Sequence, residues 1–296
     1  MKQLAYVIAV TVLACSSRGT AESQFNGEMA LSYVETQLSF GPRVPNTEGH
    51  RRTGDWILER LTATADTVEV QEFTHVTVDG DTLQLRNFIG RFRPEMGERI
   101  LLLAHWDTRP TSDNARNMAQ RDLPVPGAND GASGVAILLG VADELSVLPP
   151  SFGVDLLFVD GEDYGDFNEN KDVLLGARHF VANLPEGYQP LFGVLFDMVG
   201  DADLRIPKEW NSQNRAPEVV ERVWRRADEL GYGRIFRSEV GTGVTDDHLP
   251  LLDAGIRTID IIDFTYPHHH TPEDTLDKVS AESLEIVGNV AMALVR

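Results

Sequence analysis

The sequence predicts an α/β fold: a single three-layer domain in which a central mixed, mostly parallel sheet is flanked by helices. Three observations carry that expectation. Short apolar runs (ILLLA at 100–104, DLLFVDG at 155–161, FGVLF at 192–196 and TIDII at 258–262) read as buried parallel strands. They alternate with helix-patterned segments, as crossover connections require. Each run is followed by an acidic or histidine residue, and open α/β sheets bind ligands at the carboxyl ends of their strands.

The chain has 296 residues, no internal repeat and no long linker, which favours one generous domain. With 26 Lys and Arg against 46 Asp and Glu, the formal charge is −20. That surface disfavours nucleic acid and anionic lipid, and it attracts a substrate with a free amino group.

Residues 1–15 differ from the rest: Lys2, an apolar stretch from Leu4 to Ala14, then Cys15 followed by SSRGTAESQ. The stretch is short for a membrane-spanning helix but has the charge, apolar core and small-residue exit of a secretory signal. VLAC-SS further resembles the bacterial lipoprotein signal, in which the cysteine becomes the lipidated first residue. Cys15 is the sole cysteine, so no intramolecular disulfide forms. The expectation is an exported protein, periplasmic or membrane-anchored through a lipid, with residues 16–29 as a flexible tether and 30–296 as the catalytic domain.

The elements follow in order. ALSYVETQL reads as a helix, and RTGDWILERLTATA as another with Trp56, Ile57, Leu58 and Leu61 on its apolar side. Val68, Val70 and Phe73, then Leu83, Leu85 and Phe88, mark two strands joined at the turn Asp79 to Asp81. Ile100 to Ala104 is the first long buried strand. A loop from Thr108 to Pro126, rich in Pro, Asp, Asn and Arg, is too long for a simple connection. Gly131 to Gly134 open the helix VAILLGVADEL, and Pro149-Pro150 stops it. A helix begins near Pro217, turns Val220, Val223, Trp224 and Ala227 inward and stops at Gly231. The closing helix after Ser280 carries Leu284, Val287, Ala291 and Leu294 on one face.

The candidate site residues stand at the ends of these strands: His105 and Asp107, Glu162 and Asp163, Asp197, and His270, with Asp130 in the loop GANDGAS. Imidazoles and carboxylates in this number are a metal-centre inventory and point to a hydrolase-like enzyme. Asp107 shares a side with His105 if the chain is extended and can orient its ring. Asp130 alone also reads as a helix cap. Glu162 and Asp163 repel one another unless a cation or a shared proton compensates, so one suits a metal and the other general base work. Asp246, Asp247 and His248 form a further cluster between GTGV and LPLL, and one or two histidines of the run 268–270 can reach a shared centre.

Taken in order, HWDT, GANDGASG, FVDGED, LLGARHF, FDMVGDADL, TDDHLPLLDAG and HHHTPEDTLDKVS resemble the superfamily of zinc aminopeptidases and animal-type glutaminyl-peptide cyclotransferases, from about Leu31 to Val295. The resemblance implies a zinc-exopeptidase fold. It makes Asp130, Asp163 and His270 the zinc ligands of both branches, and matches His105 and Asp197 to the peptidases' second-zinc ligands with Asp130 bridging. It matches Glu162 to the general acid/base, and Asp246 with Asp197 to the proton-relaying network of the cyclases. DDHLPLL and DMVGDADL favour the cyclotransferase branch. The chain departs from it with His269 where the cyclases carry Trp, with Tyr164 and Phe167 where a second pocket Trp is expected, and with Asp163 in place of Glu.

The activity so implied is conversion of N-terminal glutamine to pyroglutamate with one zinc ion; the alternative is two-zinc aminopeptidase action. Both take peptides or small proteins with a free N-terminus. A surface-anchored binding protein without catalysis is the third reading, and it predicts a broken ligand set, whereas every matching position here carries a competent residue.

Overall fold

The computed structural model describes residues 25–296. The expected signal segment with Cys15, and residues 16–24 of the expected tether, lie outside the described residues. The last part of that tether is corrected: residues 27–29 form the first turn of helix α1 (Gly27–Ser39), whose N-cap Asn26 accepts from the Met29 amide at 3.0 Å. Phe25 is buried, and its amide donates to Asn289 Oδ1 at 2.9 Å. Its ring lies over Gly140 and Gly288, where any Cβ would overlap it. Aromatic burial thus starts the domain earlier than the periodic pattern alone indicated.

Helix α2 (Glu48–Thr64) is capped by Thr47, starts four residues before the expected Arg52, and buries Ile57 and Leu61. Strands β1 (Thr67–Val76) and β2 (Thr82–Phe92) form the expected antiparallel hairpin. Then follow β3 (Arg99–His105), α3 (Ala132–Val147), β4 (Gly153–Val159), α4 (Leu175–Ala182) and β5 (Gly193–Asp197). The remainder comprises β6 (Ile206–Lys208), α5 (Trp210–Arg215), α6 (Pro217–Glu229), β7 (Phe236–Val240), α7 (His248–Asp253), β8 (Thr258–Ile262) and α8 (Ala281–Val295). No helix among the described residues is long and apolar enough to cross a membrane.

The main sheet runs β1-β2-β4-β3-β5-β8. Its β4, β3, β5 and β8 are parallel, while β2 meets β4 antiparallel, so the sheet is mixed with a parallel centre. Period-two alternation divides the core into two layers. Ile100, Leu102 and Ala104 face one side with Val34 of α1, Val135 and Leu139 of α3 and Val287 of α8. Leu101 and Leu103 face the other with Ala177 and Phe180 of α4 and Leu251 of α7. Every residue of β3, β4, β5 and β8 is buried, which is why their sequences read as unbroken apolar runs.

This order positions the site. β3 pairs with β4 on one side and β5 on the other. The connections therefore diverge at the carboxyl end of β3 and open a crevice there. His105, the acidic turn after β4 and Asp197 all border that crevice.

Candidate metal centre and catalytic cavity

β3 ends on His105, and its Nε2 lies 3.2 Å from Asp130 Oδ1 and 3.1 Å from Asp197 Oδ1. Asp130 reaches this point because Gly131 follows it: a Cβ at 131 would fall within about 2.6 Å of the His105 ring. The expected alternative of Asp130 as a cap is not realised, since α3 has no side-chain cap. Asp130 Oδ2 instead faces His270 Nε2 at 3.7 Å, and His270 Nε2 is 3.3 Å from Asp163 Oδ1. The two oxygens of Asp130 thus look toward two different sets of donors.

Asp107 is wholly buried and accepts from the amides of Glu162 at 3.0 Å and Asp163 at 3.2 Å. Its oxygen is 3.6 Å from His105 Nδ1, too far for a strong hydrogen bond, so its firmer role is to hold the acidic turn. Burial pushes the Glu162 carboxyl well above its ordinary range; His105 opposes that shift, and Asp163 and Asp246 add to it. Burial likewise raises Asp246 to about 7, with Asp197 adding to the effect. A protonated acid costs less in such a place than an uncompensated charge.

Of the histidine run, His269 and His270 share a group with Asp130 in which donor atoms lie within 4.8 Å of one another; His105, Asp130 and Asp197 form a second such group. His269, expected only as a pocket residue, is therefore close enough to serve as a donor. His268 is turned onto the Tyr266 ring at 5.4 Å. Asp163 is engaged through Oδ1 by Arg109 at 2.8 Å, and its Oδ2 is buried without a hydrogen-bond partner, as is His105 Nδ1. Separations of 3.1–3.7 Å between imidazole nitrogen and carboxylate oxygen match roughly the edges of a tetrahedron with bonds of about 2.0–2.2 Å. Unpartnered buried donors and mutually repelling carboxylates are what a divalent transition ion relieves, so these residues fit zinc.

A cavity of about 340 Å³ opens over this centre. Glu162, Asp197 and Asp246 contribute to its wall, with Phe167, Phe264 and His269 also lining it. Asp247 lies beside Asp246, fully buried, with neither carboxylate oxygen hydrogen-bonded. Further inward, Asp246, His248 and Asp260 make a third buried group. Tyr164 does not reach the cavity: it packs against the Leu83, Leu85 and Leu175 cluster. Phe167, three residues on, takes the place on the wall.

Several site residues were not anticipated. Arg109 pairs with both Asp163 and Asp113, and Asp113 Oδ1 stands 3.3 Å from His270 Nδ1, where it orients that ring. Asp274 accepts from the amides of Asn129 and Asp130 and from Tyr266 Oη. Buried Arg43 donates to the carbonyls of Trp106, Pro126, Gly127 and Asp130. Arg109 and Asp113 sit in the long loop after HWDT, and Asp274 in HHHTPEDT; a search for cationic or acidic partners flanking each proposed ligand would have raised them.

The model of peptidase family M28 matches residues 87–295, which include every residue of both donor groups. The chain belongs to that family. A glutaminyl cyclase of Bacteroides thetaiotaomicron, solved with N-acetylhistamine bound, is 40% identical, with a TM-score of 0.88 over 92% of this chain and 98% of that one. A leucine aminopeptidase precursor of the same species, also 40% identical, aligns with a TM-score of 0.89 over 92% and 97%. The aminopeptidase YwaD of Bacillus subtilis is 25% identical over 292 residues, covering 91% of this M28 chain but 57% of the longer YwaD. The relatives thus comprise both cyclases and aminopeptidases, and an M28 enzyme acting on peptides is the shared reading.

Proposed function

We propose that this M28 enzyme is a zinc-dependent glutaminyl-peptide cyclotransferase that converts N-terminal glutamine to pyroglutamate and releases ammonia. The observation that carries this reading is the convergence of Glu162, Asp197 and Asp246 on one small cavity beside the metal-binding residues. A cyclisation needs a place to hold a proton between removal from the attacking amine and return to the leaving nitrogen, and a buried chain of acids supplies it. Asp130, Asp163 and His270 are the residues that would hold zinc. With zinc bound there, the glutaminyl side-chain carbonyl is polarised toward attack. Glu162 accepts the proton of the α-amine as the new N–C bond forms. It returns that proton to the side-chain nitrogen as the old C–N bond breaks, and ammonia leaves. Asp197 and Asp246 hold the proton network in place.

A second reading, aminopeptidase action, draws support from the two-sided arrangement of Asp130, with His105, which also faces Asp197, on one oxygen and His270 near the other. There Glu162 would activate water, and His105 and Asp197 would complete a second metal position. Mass spectrometry of a glutamine-initiated peptide incubated with the purified enzyme, with and without chelator, separates the two. Metal-dependent loss of ammonia from the intact peptide is the expected result; loss of the whole first residue overturns the cyclase reading in favour of the aminopeptidase.

We further infer, on separate grounds, that the enzyme lies outside the cytoplasm, anchored through lipid on Cys15. The support is the Lys2, Leu4–Ala14, Cys15 pattern. Membrane fractionation of Cys15→Ala tests it: release from the membrane is expected, and unchanged retention argues against lipidation.

A further inference from the structure

A second cavity adjoins the catalytic one. It is a groove of about 510 Å³ between the loop leading into α4 and the segment that carries α7, and it shares Phe167 and Thr245 with the catalytic cavity as lining residues. We propose that this groove is a peptide subsite that takes an apolar side chain of the residues following the N-terminal one. The inference rests on the reading of the catalytic cavity as a site for peptide N-termini, and it specifies which peptides that site prefers.

Three features support it. The first is adjacency: Phe167 and Thr245 line both cavities, so the groove begins where the catalytic cavity ends. The second is scale. An extended peptide advances roughly 3.4 Å per residue and places alternate side chains on one face, so a side chain one or two residues downstream falls about 3–7 Å along the path. The third is chemistry. Val181, Leu249 and Pro250 line the groove and are only half-buried, so they offer apolar surface to an occupant. Of the charged groups lining it, Asp253 is paired with Arg215 at 2.7 Å, and Arg178 is held by Asn170 Oδ1 at 2.6 Å. Thr245 aside, the side chains without such ties are apolar, and they are the surface offered to a substrate side chain.

The test compares glutamine amide with the amides of Gln-Gly-Gly, Gln-Leu-Gly and Gln-Gly-Leu, on the wild type and on Leu249→Asp and Val181→Asp. Leucine at the second or third position is expected to raise kcat/KM about tenfold or more over the glycine peptide. The two variants are expected to remove most of that ratio. Equal rates on leucine and glycine peptides with the wild type, or an undiminished ratio in both variants, would overturn the subsite. Calorimetric binding of Gln-Gly-Leu amide and Gln-Gly-Gly amide by the same proteins, in Glu162→Gln backgrounds, reads the groove without turnover. A leucine preference in binding that Leu249→Asp abolishes supports the groove even if no glutaminyl peptide is converted. Failure to convert any of them, by contrast, overturns the cyclase reading alone.

Discussion

Glu162 and Asp163 are neighbours in sequence with separate tasks, because Asp107 fixes both of their amides while their side chains diverge. Asp163 is tied to Arg109 and close to His270, whereas Glu162 borders the cavity. Glu162→Gln keeps the volume and removes the proton acceptor. It is expected to lower kcat about 10²- to 10⁴-fold while metal content, read by atomic emission, stays at the wild-type level. Glu209 makes a different kind of prediction. It is buried and accepts from the amides of Ser212 at 2.6 Å, Asn211 at 2.8 Å and Val244 at 2.9 Å, so it ties the loop before α7 to α5. Burial works against its ionisation, but His248 and these amides outweigh burial and hold its carboxyl down at about 2. A depressed carboxyl stabilises the fold above the ordinary Glu range near about 4.3 and loses that contribution as pH falls toward its folded value. Denaturant unfolding at pH 5 and pH 3 is therefore expected to show a smaller difference for Glu209→Gln than for the wild type; an equal difference would sink this role.

At the scale of elements, α3 and β5 set how closely the two donor groups approach. Gly134 lies against the Phe196 carbonyl, and a Cβ there would overlap that backbone oxygen. Gly134→Ala must push the first turn of α3, with Asp130 just ahead of it, away from β5. The expected cost is about 3 kcal/mol, the upper end for overpacking, with weaker metal affinity than at a position where the helix can give. Chemical denaturation and a competitive chelator titration measure the two effects; wild-type values for both would show that α3 adjusts freely. The glycines opening this helix were legible because a run of small residues before an apolar helix signals close approach. So were the strand-end residues, since a buried run of one polarity makes the first charge after it conspicuous. Arg43 was not. It lies in an aperiodic loop, and its partners are backbone carbonyls distant in sequence, which no local pattern encodes. Tyr164 and Phe167 show the same boundary: the family resemblance offered both for the pocket, and only the turn geometry after Asp163 sends one to the cavity and the other to the Leu83 and Leu85 cluster.

For the whole molecule, the metal centre is also a structural joint. His105 comes from β3, the acidic turn follows β4, Asp197 ends β5, Asp130 precedes α3 and His270 lies beyond β8, so four strands and a helix meet on one cluster of ligands. Without a cation the buried carboxylates oppose one another, and the protonation that relieves them leaves the elements less firmly joined. A ligand that binds the folded state alone, at about 100 times its Kd, adds about 2.7 kcal/mol of stability. For a domain of this size each kcal/mol moves Tm by about 2–4 °C. Chelation is thus expected to lower Tm by about 5–10 °C, and one or two equivalents of zinc to restore it. Asp130→Ala, which removes the residue common to both donor groups, should show the low Tm from the start and no response to chelator. A chelator-dependent drop in Asp130→Ala equal to that of the wild type would mean that the stabilising ion binds somewhere other than this joint.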